Sequence, residues 1–167
     1  MPEQNLYDIV IESLPASARH RRTWMSLVRC FSSIEAVLMR YFAQQYNSSL
    51  PRYDVLTALA MHPEGLTMGD LSDMLMVTKG NVTGVIRRLV QDKLVMKKTD
   101  KADRRVQLVR ISNRGLALWE EMHVDYDDII STLMGGVAKA ESKAIITALD
   151  KVRANADKNS ASLESGR

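Results

Sequence analysis

The chain has 167 residues, of which 46% are hydrophobic and 26% charged, a balance typical of a folded protein and unlike that of a disordered one. This length fits one domain with a dimerisation arm. The sequence contains no stretch of about eighteen uncharged apolar residues, so we expect no membrane span and no membrane partner. The start lacks a secretory signal pattern, and the single cysteine, Cys30, can form neither an internal disulfide nor a zinc cluster. We therefore expect a cytoplasmic protein with no metal or cofactor.

Helical spacing of apolar residues dominates the first third of the chain. It predicts a short amphipathic helix over residues 6–14 and one long helix over residues 19–46, whose apolar stripe recurs every 3.6 residues. The segment 47–51 breaks this helix, with Ser49 as the expected N-cap and Pro51 in the first turn of the next helix.

Two short helices joined by a tight turn follow. Thr67 and Asp70 have the spacing of a capping box, in which each side chain satisfies the other's exposed amide at a helix start. Only three residues separate this helix from another, which Thr78 caps. Such a pair is a helix-turn-helix. In the second helix one apolar face is predicted to be buried, formed by Val82, Val85, Ile86 and Leu89.

The apolar period changes from 3.6 to 2 after Lys93. Residues 94–98 and 106–111 read as two strands joined by a polar hairpin, which predicts a wing. Helices from about residue 112 to 134 and from about 138 to 156 follow. The predicted fold is mainly α with a small β-wing, a winged helix-turn-helix whose N- and C-terminal helices form a dimerisation arm. Its parts are dimerisation helices (1–46), a winged DNA-binding domain (47–112), further dimerisation helices (113–156) and a disordered tail (157–167).

Basic residues are concentrated in one segment. Residues 79–110 contain ten Lys or Arg and three Asp, a net +7, so with a total of +3 the rest of the chain carries −4. An acidic body with one basic segment is expected of a protein that meets double-stranded DNA through one surface. On the helix after Thr78, the residues expected to reach the major groove are Lys79, Gly80, Asn81, Thr83, Gly84, Arg87 and Gln91.

The two glycines on this outward face indicate close approach to DNA, because each costs about 1 kcal/mol relative to Ala inside a helix; packing against another helix is the alternative reason for them. Phosphate contacts are predicted for Thr78, Arg88 and Lys98. In the wing, cations can enter a minor groove while a carboxylate orients a neighbouring guanidinium, a role assigned to Lys101, Asp103, Arg104 and Arg105.

These segments resemble the MarR (multiple antibiotic resistance regulator) family of transcription regulators. The wing residues Asp103-Arg104-Arg105 followed by Ile111-Ser112-Asn113-Arg114-Gly115 are similar to the family's wing motif, residues 78–89 to its recognition helix, and Tyr53-Asp54-Val55-Leu56 to its second-helix motif. The resemblance covers roughly residues 20–155. It implies an obligate homodimer with interlocked terminal helices, a palindromic DNA site and, often, a small aromatic or phenolic effector bound between the arms and the winged domains.

The homodimer also follows from the residues, because the long helix and the last two helices carry more apolar surface than one small winged domain can cover. A repressor released by an aromatic or phenolic acid, or its thioester, is the expected function. Candidate effector contacts, each of which also fits a core-packing role, are Trp24, Arg29, His62, Trp119 and His123.

Three alternatives compete with this reading. Cys30 beside Arg29 fits a redox sensor, since a neighbouring cation favours the reactive thiolate, but its mid-helix position favours a buried packing role instead. An enzyme is disfavoured because the three histidines have no metal-ligand spacing and no nucleophile motif is present. A winged-helix module that binds only protein would not need ten cations on its helix and wing.

Overall fold

A computed structural model of the protein describes residues 5–99 and 107–164. These residues form seven helices and two strands: α1 (Leu6–Ser13), α2 (Arg19–Tyr46), α3 (Leu50–Ala60), α4 (Met68–Met74), α5 (Lys79–Gln91), β1 (Val95–Thr99), β2 (Gln107–Ile111), α6 (Asn113–Met134) and α7 (Lys139–Glu164). The order of helices and strands predicted from the sequence is confirmed, and so is the winged-helix class. No helix within the described ranges is long and apolar enough to cross a membrane.

Local side-chain chemistry sets the helix starts. Thr67 and Asp70 form the predicted capping box, and the Thr78 hydroxyl accepts a hydrogen bond from the Asn81 amide at the start of α5. Ser49 is the N-cap of α3, as predicted, but its side chain makes no capping hydrogen bond. The helix therefore begins there because Pro51 fixes the first turn rather than because a hydroxyl caps it.

The wing is a two-stranded antiparallel sheet. β1 pairs with β2 so that Val95 lies opposite Ile111, and Leu66 adds an isolated bridge to Val109. This bridge attaches the wing to the segment between α3 and α4. The hairpin residues Lys101, Asp103, Arg104 and Arg105 lie outside the described residues.

One hydrophobic core joins α3, α4, α5 and the wing. Its completely buried members include Leu56, Leu59, Leu71, Ile86 and Leu89. A second, aromatic cluster of Phe42, Tyr53 and Met122 connects α2, α3 and α6. Beside it the hydroxyls of Tyr41 and Tyr46 both donate to Asp125, at 2.9 and 2.5 Å.

The chain divides into two units, residues 1–127 and 128–167. The second unit contains α7, in which no side chain between residues 139 and 160 is buried. The expected disordered tail, residues 157–167, is wrong as far as Glu164, because α7 continues to that residue. Four of the eight residues 157–164 (Lys158, Ala161, Leu163 and Glu164) have high helix propensity, and they continue a helix that is already formed.

Candidate nucleic-acid interface

Helix α5 is held by its apolar face and by the turn before it. Val82, Ile86 and Leu89 are buried in the core, as predicted from their spacing. In the turn from α4, the Ser72 hydroxyl donates to the carbonyl oxygen of Val77 at 2.6 Å, and Met76 adopts a left-handed conformation with φ of 52°. The start of α5 is therefore rigidly placed relative to the core.

The opposite face of α5 is accessible. Lys79, Gly80, Asn81, Thr83, Arg87 and Gln91 are exposed, and Gly84 is half-buried. A Cβ added at Gly84 would meet nothing within 4 Å, and one added at Gly80 would meet only the Thr78 hydroxyl, at 4.0 Å. Neither glycine is required for packing against the described part of the chain, which is consistent with close approach of another molecule.

The predicted major-groove residues do not form a single surface. Lys79, Thr83 and Arg87 follow one another at every fourth position and form an exposed stripe, in which the Thr83 hydroxyl donates to the Lys79 carbonyl oxygen at 2.7 Å. Gly80, Asn81 and Gly84 instead line a cavity beside α5, and Gln91 lines another at its C-terminal end. We call Lys79, Thr83 and Arg87 the α5 stripe.

The cavity beside α5 has a volume of about 500 Å³. One wall is α5, including Arg88, which sequence analysis assigned to a phosphate; another contains Val55 and Asp54 of α3 and Glu35 of α2. Burial, and secondarily the charge of Glu35, raises the pKa of Asp54 to about 6. We call this the α5 cavity.

The other predicted phosphate contacts are also accessible. Thr78 is exposed while its hydroxyl caps α5, and Lys98 is exposed on β1. The predicted minor-groove residues fall in the hairpin that the structure does not describe, so they stay predictions.

The five predicted effector contacts are divided. Trp119 and His123 stack at 4.9 Å, Nε1 of Trp119 donates to the Thr57 hydroxyl at 3.0 Å, and Nδ1 of His123 lies 2.8 Å from the Tyr53 hydroxyl. Nδ1 of His62, just beyond the end of α3, lies 2.8 Å from the carbonyl oxygen of Ala58 in the last turn of that helix. These three residues have partners within the chain, which is the packing role that sequence analysis left open for them.

The other two effector candidates lie on the long helix α2. Trp24 is 61% exposed, and Arg29 pairs with Asp8 of α1 at 2.7 Å. The expectation of a buried packing role for Cys30 is wrong for the single chain, where its side chain is exposed. Periodicity placed Cys30 on a helix correctly but did not fix which faces of α2 the chain itself covers.

Sequence analysis missed why the wing motif ends in glycine. A Cβ on Gly115 would lie 2.0 Å from the carbonyl oxygen of Leu94, so the start of α6 approaches β1 too closely for any side chain. The Ser112 hydroxyl donates to the Lys93 carbonyl oxygen at 2.8 Å and accepts from the Gly115 amide at 2.9 Å. Ser112 and Gly115 thus join the wing to α6. The α5 cavity and the half-buried Asp54 in it were likewise not predicted from the sequence.

Metal chemistry has no site within the described ranges, where no cluster of three or more His, Cys, Asp or Glu side chains could hold an ion. What the described geometry offers instead is an exposed, basic, glycine-bearing helix face held on a rigid winged core.

Comparison with known proteins agrees with this geometry. The family model described as "MarR family" matches residues 48–106. BadR of Rhodopseudomonas palustris, a transcriptional activatory protein, is 41% identical over 56 residues, which cover 34% of this chain and 32% of BadR. The chain thus matches about a third of that relative's length.

Two solved structures are similar over most of both chains. A MarR family transcriptional regulator from Silicibacter pomeroyi has a TM-score of 0.73 and 25% identity, covering 86% of this chain and 99% of that one. BpsR of Bordetella bronchiseptica, whose DNA binding is regulated by 6-hydroxynicotinic acid, has a TM-score of 0.69 and 29% identity, covering 79% and 98%. Residues 48–106 therefore match the MarR family model, and the fold is similar to that of MarR family regulators over most of the chain.

Proposed function

We propose that this protein is a sequence-specific regulator of transcription that binds double-stranded DNA as a homodimer. The observation that carries the proposal is the α5 stripe, which presents two cations on a helix rigidly held by its opposite face. A helix of this kind enters the major groove and reads base edges. The surrounding segment 79–110, with its net +7, neutralises phosphates.

Most of the predicted contacts have a role in this proposal; Gln91, which lines the cavity at the C-terminal end of α5, and Lys101 are given none. Lys79, Asn81, Thr83 and Arg87 reach base edges, and the two glycines let the helix approach the groove closely. Thr78, Arg88 and Lys98 contact phosphates, and the wing hairpin enters a minor groove with Arg104 and Arg105, where Asp103 orients Arg105.

The dimer is supported by apolar side chains that the single chain leaves accessible. On α2 these include Trp24 and Phe31, and on α7 they include Ile145, Leu149 and Val152. A second copy of the same chain is the most common partner for such a surface, because most soluble oligomers are symmetric homo-oligomers. Twofold symmetry then places two α5 helices in successive major grooves, about 34 to 36 Å apart on a palindromic site.

We further propose that a small aromatic acid, phenolic acid or thioester controls DNA binding through the α5 cavity. Its volume of about 500 Å³ suits such a molecule, its apolar side includes Val55 and Val85, and Arg88 can pair with an acid group. Because α5 forms one wall, an occupant contacts the helix that reads DNA. The regulation of BpsR by 6-hydroxynicotinic acid supports this ligand class.

A salt series tests DNA binding. The affinity for genomic duplex fragments should fall steeply as salt rises, because each neutralised phosphate releases counterions. Arg87→Ala should lose about 1 to 3 kcal/mol of discrimination between the selected site and random DNA. Arg153→Ala, which removes an exposed cation from α7, is the control and should change neither. A flat salt response would favour the protein-interaction module instead.

Repression is tested with the selected site and a reporter. A repressor lowers expression from a promoter that carries this site, and 6-hydroxynicotinic acid, used as the probe, should release the DNA and restore expression. Arg88→Gln should weaken DNA binding through the lost phosphate contact and, at a protein concentration that restores full occupancy of the site, should also remove the response to the probe. If the protein instead raises expression when no probe is present, it is an activator, as the name of BadR says of that relative.

Neither catalysis nor redox sensing is part of this proposal. The relatives are regulators of transcription, and a binding protein of this kind needs no catalytic group. Exposed Cys30 has no second cysteine in the chain with which to form a reversible disulfide. Cytoplasmic location, where DNA is reached, stays a prediction.

A further inference from the structure

A second cavity lies at the opposite end of α5 from its DNA-reading start. It has a volume of about 500 Å³ and is lined by the C-terminal end of α5 and the start of β1, together with residues near the starts of α3 and α6. We call it the α5–α6 cleft. Its lining includes Asn47, Arg52, Gln91, Asp92, Lys93 and Arg114.

Three cations and one carboxylate line this cleft. Nη2 of Arg52 donates to Oδ2 of Asp92 at 2.5 Å, so this pair is neutral together. The side chains of Lys93 and Arg114 have no ion pair or hydrogen bond within the described ranges. Nε of Arg52 is buried and also lacks a partner among the described residues. The cleft therefore has a formal charge of +2 and an unused buried donor.

Two of these cations occupy positions that disfavour them locally. Arg52 and Arg114 lie in the first turns of α3 and α6, where the partial positive charge of the helix end repels a cation. Neither first turn contains an acidic residue to offset this. Both helix starts thus direct positive charge, from side chain and backbone, to the region of one cleft.

Lys93 carries a different local cost. Its φ is 59°, in the left-handed region where glycine is the least strained residue, and it follows the end of α5. Asn47, on the same cleft, has φ of 45°, a conformation that Asn adopts at lower cost than Lys. A strained non-glycine residue that persists beside a cavity points to a use for its side chain there.

We propose that the α5–α6 cleft binds a small molecule through a dianionic phosphate group, held by Arg52, Lys93 and Arg114. A phosphate monoester or inorganic phosphate carries close to two negative charges at neutral pH, which matches the +2 of the cleft. Three cations and the free Nε supply the charge-assisted hydrogen bonds that such a group accepts.

A phosphate of DNA is the other source of the same chemistry, and the geometry argues against it. Lys79 and Gln91 are separated by the length of α5, about 18 Å at 1.5 Å per residue, so the cleft lies far from the start of the helix that enters the groove. A phosphodiester also carries only one negative charge.

The first test uses the full chain without DNA and inorganic phosphate as the probe. Phosphate should raise the Tm of the wild type by about 2 to 4 °C above that in chloride at equal ionic strength. Arg114→Gln should lose most of this rise, whereas Lys97→Gln, which removes an exposed cation of β1 outside the cleft, should keep it. A wild type that does not respond to phosphate, or a response equal in all three proteins, overturns the proposal.

Lys93→Gly separates binding from a structural role. In phosphate-free buffer the variant should be more stable than the wild type, because glycine adopts φ of 59° without strain. Its response to phosphate should nevertheless be smaller. A variant that is more stable and responds fully to phosphate would show that Lys93 takes no part in binding and overturn this assignment.

A DNA arm distinguishes the two sources. With duplex DNA in phosphate-free buffer, Arg114→Gln should bind within about two-fold of the wild type, since the cleft is not part of the DNA surface. A loss of about ten-fold or more would assign the cleft to the DNA backbone instead. Because the phosphate test contains no DNA, its result is independent of the function proposed above.

Discussion

The winged domain and the C-terminal helix use their apolar residues differently. Among the described residues between Val55 and Val109, twelve side chains are buried in one core, several of them completely. Helix α7 is longer than any helix of that core, yet Ile145, Leu149 and Val152 are 43%, 42% and 51% exposed. Most of the stability of a helix in a protein comes from packing of its apolar face, so the exposed stripe of α7 calls for a partner.

This difference separates two sources of stability. The winged domain derives its stability from contacts within one chain, whereas α7 depends on the proposed second copy. Sequence changes in the winged domain should therefore affect unfolding, and changes on α7 should affect association. The predictions below test that division.

The largest effect is expected at the junction of β1 and α6. Gly115→Ala places a Cβ 2.0 Å from the Leu94 carbonyl oxygen, so the backbone must move and the free energy of unfolding should fall by about 3 kcal/mol. Urea denaturation at fixed protein concentration measures this.

Gly84→Ala is the matched control, because its Cβ meets nothing within 4 Å. Helix propensity should make this variant as stable as the wild type or more so, by up to about 1 kcal/mol. Its affinity for DNA should fall if α5 approaches a groove closely. If Gly115→Ala and Gly84→Ala destabilised the protein equally, the close approach of Gly115 to Leu94 would not be the cause of the effect.

A smaller effect is expected on α7. Leu149→Asp puts a charge into the apolar stripe and should weaken dimerisation by about 2 kcal/mol, with the winged core still folded. Sedimentation over a concentration series measures the dimer, and circular dichroism measures the fold. Asn155→Asp adds the same charge to α7 and is the control. Loss of the winged core in Leu149→Asp would contradict the division between folding and association.

The smallest effect concerns Asp54 in the α5 cavity, a polar group within the otherwise apolar winged domain. Burial raises its pKa in the folded state to about 6, so the folded state keeps this proton at pH values where the unfolded chain has lost it. The contribution of Asp54 to the free energy of unfolding should therefore be most favourable near pH 4 and should decrease as pH rises through about 6.

Asp54→Asn cannot titrate, so it should gain on the wild type by about 1 kcal/mol between pH 4 and pH 8, a value reduced for solvent screening of a half-buried group. Thermal unfolding at the two pH values measures the gain. Asp73→Asn, which removes an exposed carboxylate from α4, controls for the change in net charge. A gain that is the same at both pH values would show that Asp54 loses no proton between them.

Much of the fold was predictable because its determinants are local. Capping at Thr67 and Thr78, the change of apolar period after Lys93 and the buried face of α5 all depend on residues close in sequence. The basic segment was equally visible, since it needs only a count of charges. These features carried the resemblance to the MarR family before any contact was known.

Features that depend on tertiary contacts were not predictable. The outward residues of α5 divide between the α5 stripe and two cavities because of which helices lie beside α5, and periodicity does not contain that information. The exposure of Cys30 and the approach of Gly115 to Leu94 have the same cause. The helical extension to Glu164 was missed because a polar segment was read as disorder, although adding residues to an existing helix costs less than starting one.

The central claim is that two copies of this chain bind one duplex through paired α5 helices. Titration of a selected duplex, with the mass of the complex measured at several salt concentrations, tests it most directly. We expect two chains per duplex and a logarithm of affinity that falls linearly with the logarithm of salt, with a slope that decreases in magnitude by about one in Arg88→Ala. A monomer that binds no duplex at low salt would contradict the account.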